Sequence, residues 1–171
     1  MTPYSRIGHS PSVRQGLEGY RSQIKTRVPI EFHIIDDWIP EKEGEQAINY
    51  KIAELNNSAV ILRNVINRER DIVFDFEVKT NVKKNKNHGE FLSVINETNP
   101  QYASGLVEEW ELFGEDGTNL IYESKQINGY GSGEGPGNTF SFNLDKQYED
   151  LMKSNMVIRY SGLVLYEYSR R

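Results

Sequence analysis

Three histidines, 25 carboxylates and a run of spaced glycines are the groups through which this 171-residue chain could do chemistry, and it has no cysteine. Without a thiol there is no disulfide, no Cys-ligated zinc or iron–sulfur cluster and no Cys nucleophile. His9, His33 and His88 fall in an arm, a strand and a loop, and no two stand three or four residues apart, the spacing that brings two imidazoles to one metal. They read as solvated or hydrogen-bonded side chains. The carboxylates crowd into residues 36–45 and 108–116. A glycosidase needs two of them about 5–10 Å apart in a cleft, and nothing in the order of residues selects a pair. Glu109 and Glu111 most simply form the wet face opposite Trp110. Glu115 to Asn119 lacks the oxygen spacing of a helical calcium loop, which leaves calcium on a sandwich loop open.

Glycines at 129, 131, 133, 135 and 137 do not end in the Gly-Lys-Ser/Thr of a phosphate loop. Nor do they join a strand to a helix as a dinucleotide fingerprint must. The segment is expected to be a flexible hairpin tip that orders on a partner, which makes Tyr130 a contact candidate. No Gly-x-Ser-x-Gly elbow is present. Lys79, Lys83, Lys84, Lys86 and His88 gather around one loop, but no aromatic residue is interleaved to stack on bases, so they read as charges that blunt a sheet edge. Trp110 reads as core. Trp38, following Asp36-Asp37 at a strand end, is the candidate anchor for a surface ligand such as a carbohydrate. Asn56 and Asn96 begin glycosylation sequons, which matter only for a secreted chain in a glycosylating cell. No cofactor and no metal are expected.

The elements that must position these groups are mostly strands. Ser10-Pro11 could open a helix, with Val13, Leu17, Tyr20 and Ile24 as its apolar stripe. Gly16 and Gly19 weaken it by about 1 kcal/mol each relative to Ala. From Val28 the period is two, and Pro29 places the start of that strand at an edge or bulge. Ile48, Tyr50 and Ile52 make a second strand, and Asn56-Asn57 is a tight turn into a third, Ser58 to Ile66. Asp71 to Val82 alternates most cleanly, with Phe74, Phe76 and Val78 opposite Asp75, Glu77 and Lys79. Further strands are expected over 90–95, 107–113, 119–127, 139–144 and 156–168, with a hairpin turn at Gly114–Gly117, a helical turn in 146–153 and a bulge at Gly162. About eight short strands joined by turns indicate an all-β antiparallel sandwich, jelly roll or barrel. The expected division is a basic arm, 1–27, and a sandwich, 28–171.

Charge is placed unevenly along the chain. The arm carries Arg6, Arg14, Arg21, Lys25 and Arg27 against Glu18 alone, a surplus of +4, while the remainder carries −9. Such an arm seeks something negative: nucleic acid, which five spread charges serve poorly, or the acidic body of a neighbouring copy. Mean hydropathy is −0.65, and no apolar run reaches the 18 residues of a membrane span. No signal peptide is visible, so cytoplasmic synthesis or incorporation into a particle is expected.

An arm, a sandwich and long loops resemble the general plan of virion and tail building blocks, a likeness of architecture that rests on no motif. The expected function is therefore a non-enzymatic structural protein whose partners are other protein subunits, copies of itself foremost. The alternative is a sandwich that binds a carbohydrate or other surface ligand near Trp38. A carboxylate hydrolase would require a concave pocket with perturbed acids.

Overall fold

The computed structural model describes residues 19–82, 86–94, 110–121, 130–134 and 138–171. Among these residues nine strands form two antiparallel sheets. The strands are β1 (Tyr20–His33), β2 (Gly44–Leu55), β3 (Ser58–Asn67), β4 (Asp71–Thr80), β5 (His88–Ser93), β6 (Trp110–Phe113), β7 (Tyr130–Glu134), β8 (Thr139–Asp145) and β9 (Val157–Arg170). In sheet A, β1 lies along the whole of one side of β9, while β5 and β6 share its other side. Sheet B has the order β2-β3-β4-β8-β7. The fold is the expected all-β sandwich.

Alternation fixes which side chains fill the space between the sheets. Phe74, Phe76 and Val78 of β4 and Phe140, Phe142 and Leu144 of β8 face Phe32 of β1 and Ile158 and Tyr160 of β9. Trp110, fully buried, lies at the centre and joins the two layers. Its ring is 4.4 Å from that of Tyr160 in sheet A and 4.5 Å from that of Phe142 in sheet B, both stacked. Buried stacked rings of this kind contribute more than their area alone.

Both long sheet edges are irregular. β2 carries two register shifts, one beside Asn49, whose φ is +52°. Tyr50 stands opposite Leu62 and is half exposed with its ring against Trp38, while Ile48 and Ile52 pack on the core. β1 has a bulge at Lys25 and another shift where Pro29 stands opposite Ser161 and Gly162, as the proline and the glycine led one to expect. Asn56 and Asn57 both have positive φ and close the two-residue turn between β2 and β3.

Two expectations fail for physical reasons. Residues 20–24 are strand, not helix, and β1 begins at Tyr20, inside the segment assigned to the arm. Positions four apart share a face in a strand as well as in a helix, so the Tyr20–Ile24 spacing fits both, and pairing with β9 decides between them. The part of the helix before Gly19 lies outside the described residues. The glycine segment is not a hairpin tip over 130–134: it is strand β7, paired with β8. A Cβ at Gly131 would strike the side chain of Asn143, whose amide donates to Asp71 at 3.0 Å, so glycine here allows a close approach.

Candidate functional site

Sheet A outruns sheet B at one end. Facing inward along β9, the core residues Leu163 and Leu165 give way to Glu167 and Ser169. The register carries the change across three strands. Gln23, Glu167 and Glu90 form one inward row, and Arg21, Ser169 and His88 form the next. Sheet B ends at the level of the first row, where its β2–β3 turn meets β5. There Asn56 Nδ2 donates to Glu90 Oε2 at 2.8 Å and Asn57 Nδ2 donates to the Glu90 carbonyl at 3.2 Å. The second row therefore stands beyond sheet B. The result is a groove of about 640 Å³, lined by the residues of these two rows and by Ser22, Gly89 and Tyr168 between them.

The back of the groove is stiff. On the opposite face of the same strands, Tyr20, Phe91, Val164, Tyr166 and Tyr168 form a second buried apolar cluster. Phe91 stacks on Tyr166 at 5.2 Å, and Tyr20 meets Tyr168 edge-on at 5.5 Å. Gly89 leaves room for the Tyr168 ring, which any β-carbon at that position would strike. Two further bonds tie β5 to sheet B. The Leu92 N–H donates to Ser58 Oγ at 2.8 Å, and the Val94 N–H donates to Asn138 Oδ1 at 2.9 Å.

Charge within the groove is sorted. Lys25, the extra residue of the β1 bulge, donates to Glu90 at 2.7 Å and lies 3.3 Å from Glu167. The Lys25 ammonium, helped by Asn56, holds the Glu90 carboxyl below the usual glutamate range, and Glu90 and Glu167 raise Lys25 in return. Arg21, one row out, is exposed and has no ion pair among the described residues. The groove thus presents the Arg21 guanidinium beside a hydroxyl and an imidazole, backed by a row in which one ammonium, Lys25, is shared by two carboxylates, Glu90 and Glu167. Such a site can bind a carboxylate or another anion. Among the described residues no group of three or more His, Asp and Glu is placed to hold a metal ion.

The sequence-derived candidates are distributed as follows. Arg21 and Lys25 come together at the groove. Arg27 stands opposite Val164, on the other face of β1. Tyr130 opens β7 on the other sheet. Arg6 and Arg14 lie outside the described residues. Trp38 is buried, 8% exposed, its ring packed 5.3 Å from Tyr50, so the exposed aromatic at that place is Tyr50. Residue types alone do not single out Gln23, Glu90, Glu167 or Ser169, and His88, expected in a loop, opens β5. The signal that could have found them is the break from leucine to polar residues at the inward positions of β9. Among the described residues no helix is long and apolar enough to cross a membrane. No family model matches the chain, and neither does any curated protein or solved structure.

Proposed function

We propose that the chain is a non-enzymatic structural protein, a β-sandwich building block of a larger virion- or tail-like complex. It meets its neighbours through its basic N-terminal segment, its loops and the overhanging end of sheet A. One observation carries this reading: the overhang exposes a groove, stiffly backed, in which Arg21 is exposed and has no ion pair among the described residues. A rigid, preorganised surface loses little entropy on binding. The bulged edges β1 and β2 support contact through side chains rather than through strand addition, because bulges spoil the ladder a new strand would need. Charge reversal at Arg14, Arg21 and Arg27 is the test. Assembly of the purified protein should weaken in the variant, and assembly that persists unchanged counts against the proposal.

The second reading, binding of a carbohydrate or other surface ligand, is favoured by one feature. Tyr50, half exposed and resting on Trp38, is an aromatic platform. A glycan array with wild type and Tyr50→Ala tests it, and retention of binding by the variant removes that anchor.

A further inference from the structure

The two ends of the sandwich carry opposite charge. β1 runs the length of sheet A, roughly 45 Å for its 14 residues at about 3.3 Å each, from the groove to the loop that begins at Asp36. At the loop end, segments 34–45, 68–71, 114–117 and 145–153 carry twelve carboxylates and five cations. At the groove end, segments 19–27, 51–58, 78–82, 86–90 and 166–171 carry eight cations and three carboxylates. Asp36, Asp37, Glu41 and Glu43 are all exposed in the acidic loop. At the other end Arg21 lines the groove, and Lys86 and Arg170, outside its lining, are also exposed, Arg170 opposite Tyr20 on the other face of sheet A.

We propose that copies of this chain associate head to tail, the acidic loop 36–45 of one copy seated at the Arg21 groove of the next. The inference rests on the assembly reading above and adds its polarity and its contact residues. Pairing like ends in a two-fold dimer brings acid to acid or base to base, whereas head-to-tail contact joins opposite fields. The guanidinium of Arg21 suits the loop carboxylates because its planar fork can take a carboxylate bidentately. Lys25 is engaged with Glu90 and Glu167, so Arg21 is the cation of the groove left for a ligand. Contacts of this heterologous kind continue into rings or filaments rather than stopping at two.

The experiment blocks one end at a time. One variant carries D36N, D37N, E41Q and E43Q; the other carries R21E, K86E and R170E. Each alone should be a 19.7 kDa monomer where wild type forms species larger than a dimer. Mixed one to one at low salt, they should form a single species of twice the protomer mass, because each retains the end the other lacks. If wild type assembles but the mixture stays monomeric, or if either variant assembles like wild type, head-to-tail contact is overturned and assembly by another route stands. If wild type is itself monomeric at every concentration and salt, this inference and the assembly of like copies fall together. Should a blocked variant fail to unfold cooperatively, the same mixture is made with R21E alone as the basic-end variant.

Discussion

Replacing Asn138 with alanine should unlatch β5, and with it one wall of the groove, from sheet B. Asn138 is 7% exposed and stands just before β8. Its Oδ1 accepts from the Val94 N–H at 2.9 Å and from Ser93 Oγ at 3.3 Å, and its Nδ2 donates to the Val78 carbonyl at 3.0 Å. Its own carbonyl accepts from the Val78 N–H at 2.9 Å, a bond the substitution leaves in place. Truncation thus strips side-chain partners from two buried backbone groups, one in each sheet. Each such loss costs about 1–3 kcal/mol, so Asn138→Ala should lower stability by about 2–6 kcal/mol. Urea unfolding followed by tryptophan fluorescence reads this directly, since Trp38 and Trp110 are both buried. The midpoint should fall with little change in slope. Amide exchange at Leu92 and Val94 should quicken more than exchange at the centre of β4. Lys79→Ala, at an exposed position, should change stability by no more than about 0.5 kcal/mol. An Asn138→Ala variant as stable as Lys79→Ala would refute the latch.

Three further outcomes follow from the same geometry. Glu90 is held below the ordinary glutamate range, first by Lys25 and then by Asn56, so its folded form is favoured when ionised. That contribution is present above the unfolded carboxylate's range and is lost as pH falls through the lowered folded value, so Glu90→Gln should flatten part of the acid limb of a stability–pH curve; an unchanged limb counts against the Lys25–Glu90 pairing. Asp75 is shifted the other way: burial raises it, Arg63 opposes, and Glu45 and Glu77 add to the rise. Its ionised form is therefore penalised by folding, and Asp75→Asn should hold or raise the melting temperature at neutral pH while losing that advantage in acid; a clear loss at neutral pH contradicts the assignment. Gly89→Ala should displace the buried Tyr168 ring and cost about 1–3 kcal/mol by overpacking, read by thermal unfolding, and an unaffected protein would mean the ring can move freely.

Much of the fold was legible because one face of each strand is buried and the other wet. Asp71–Val82 shows this best: Phe74, Phe76 and Val78 are in the core, with Asp75 and Glu77 opposite. Asn56-Asn57 announced a turn, and Pro29 and Gly162 the one irregularity where they meet, through backbone chemistry alone. What local patterns could not show is which strand runs past its neighbours. Glu167 and Ser169 look like ordinary wet-face residues until β1 and β5 are placed on either side of β9. The helix drawn through Tyr20 and Ile24 failed because four-residue spacing satisfies two periods. The basic N-terminal segment was visible as charge, yet its Lys25 finds acidic partners within its own chain, on Glu90 and Glu167, while Arg21 stands one row further out with no ion pair among the described residues. Separation of charge between the two ends was hidden because each end collects segments distant in sequence.

The most direct test of assembly through charge is the native mass of the wild-type protein, by light scattering after size exclusion, at low and high salt. Charges act over about 30 Å at about 0.01 M salt and over about 3 Å at about 1 M. Multiples of 19.7 kDa at low salt that collapse to the protomer at high salt are the predicted result. A 19.7 kDa monomer at both would contradict it.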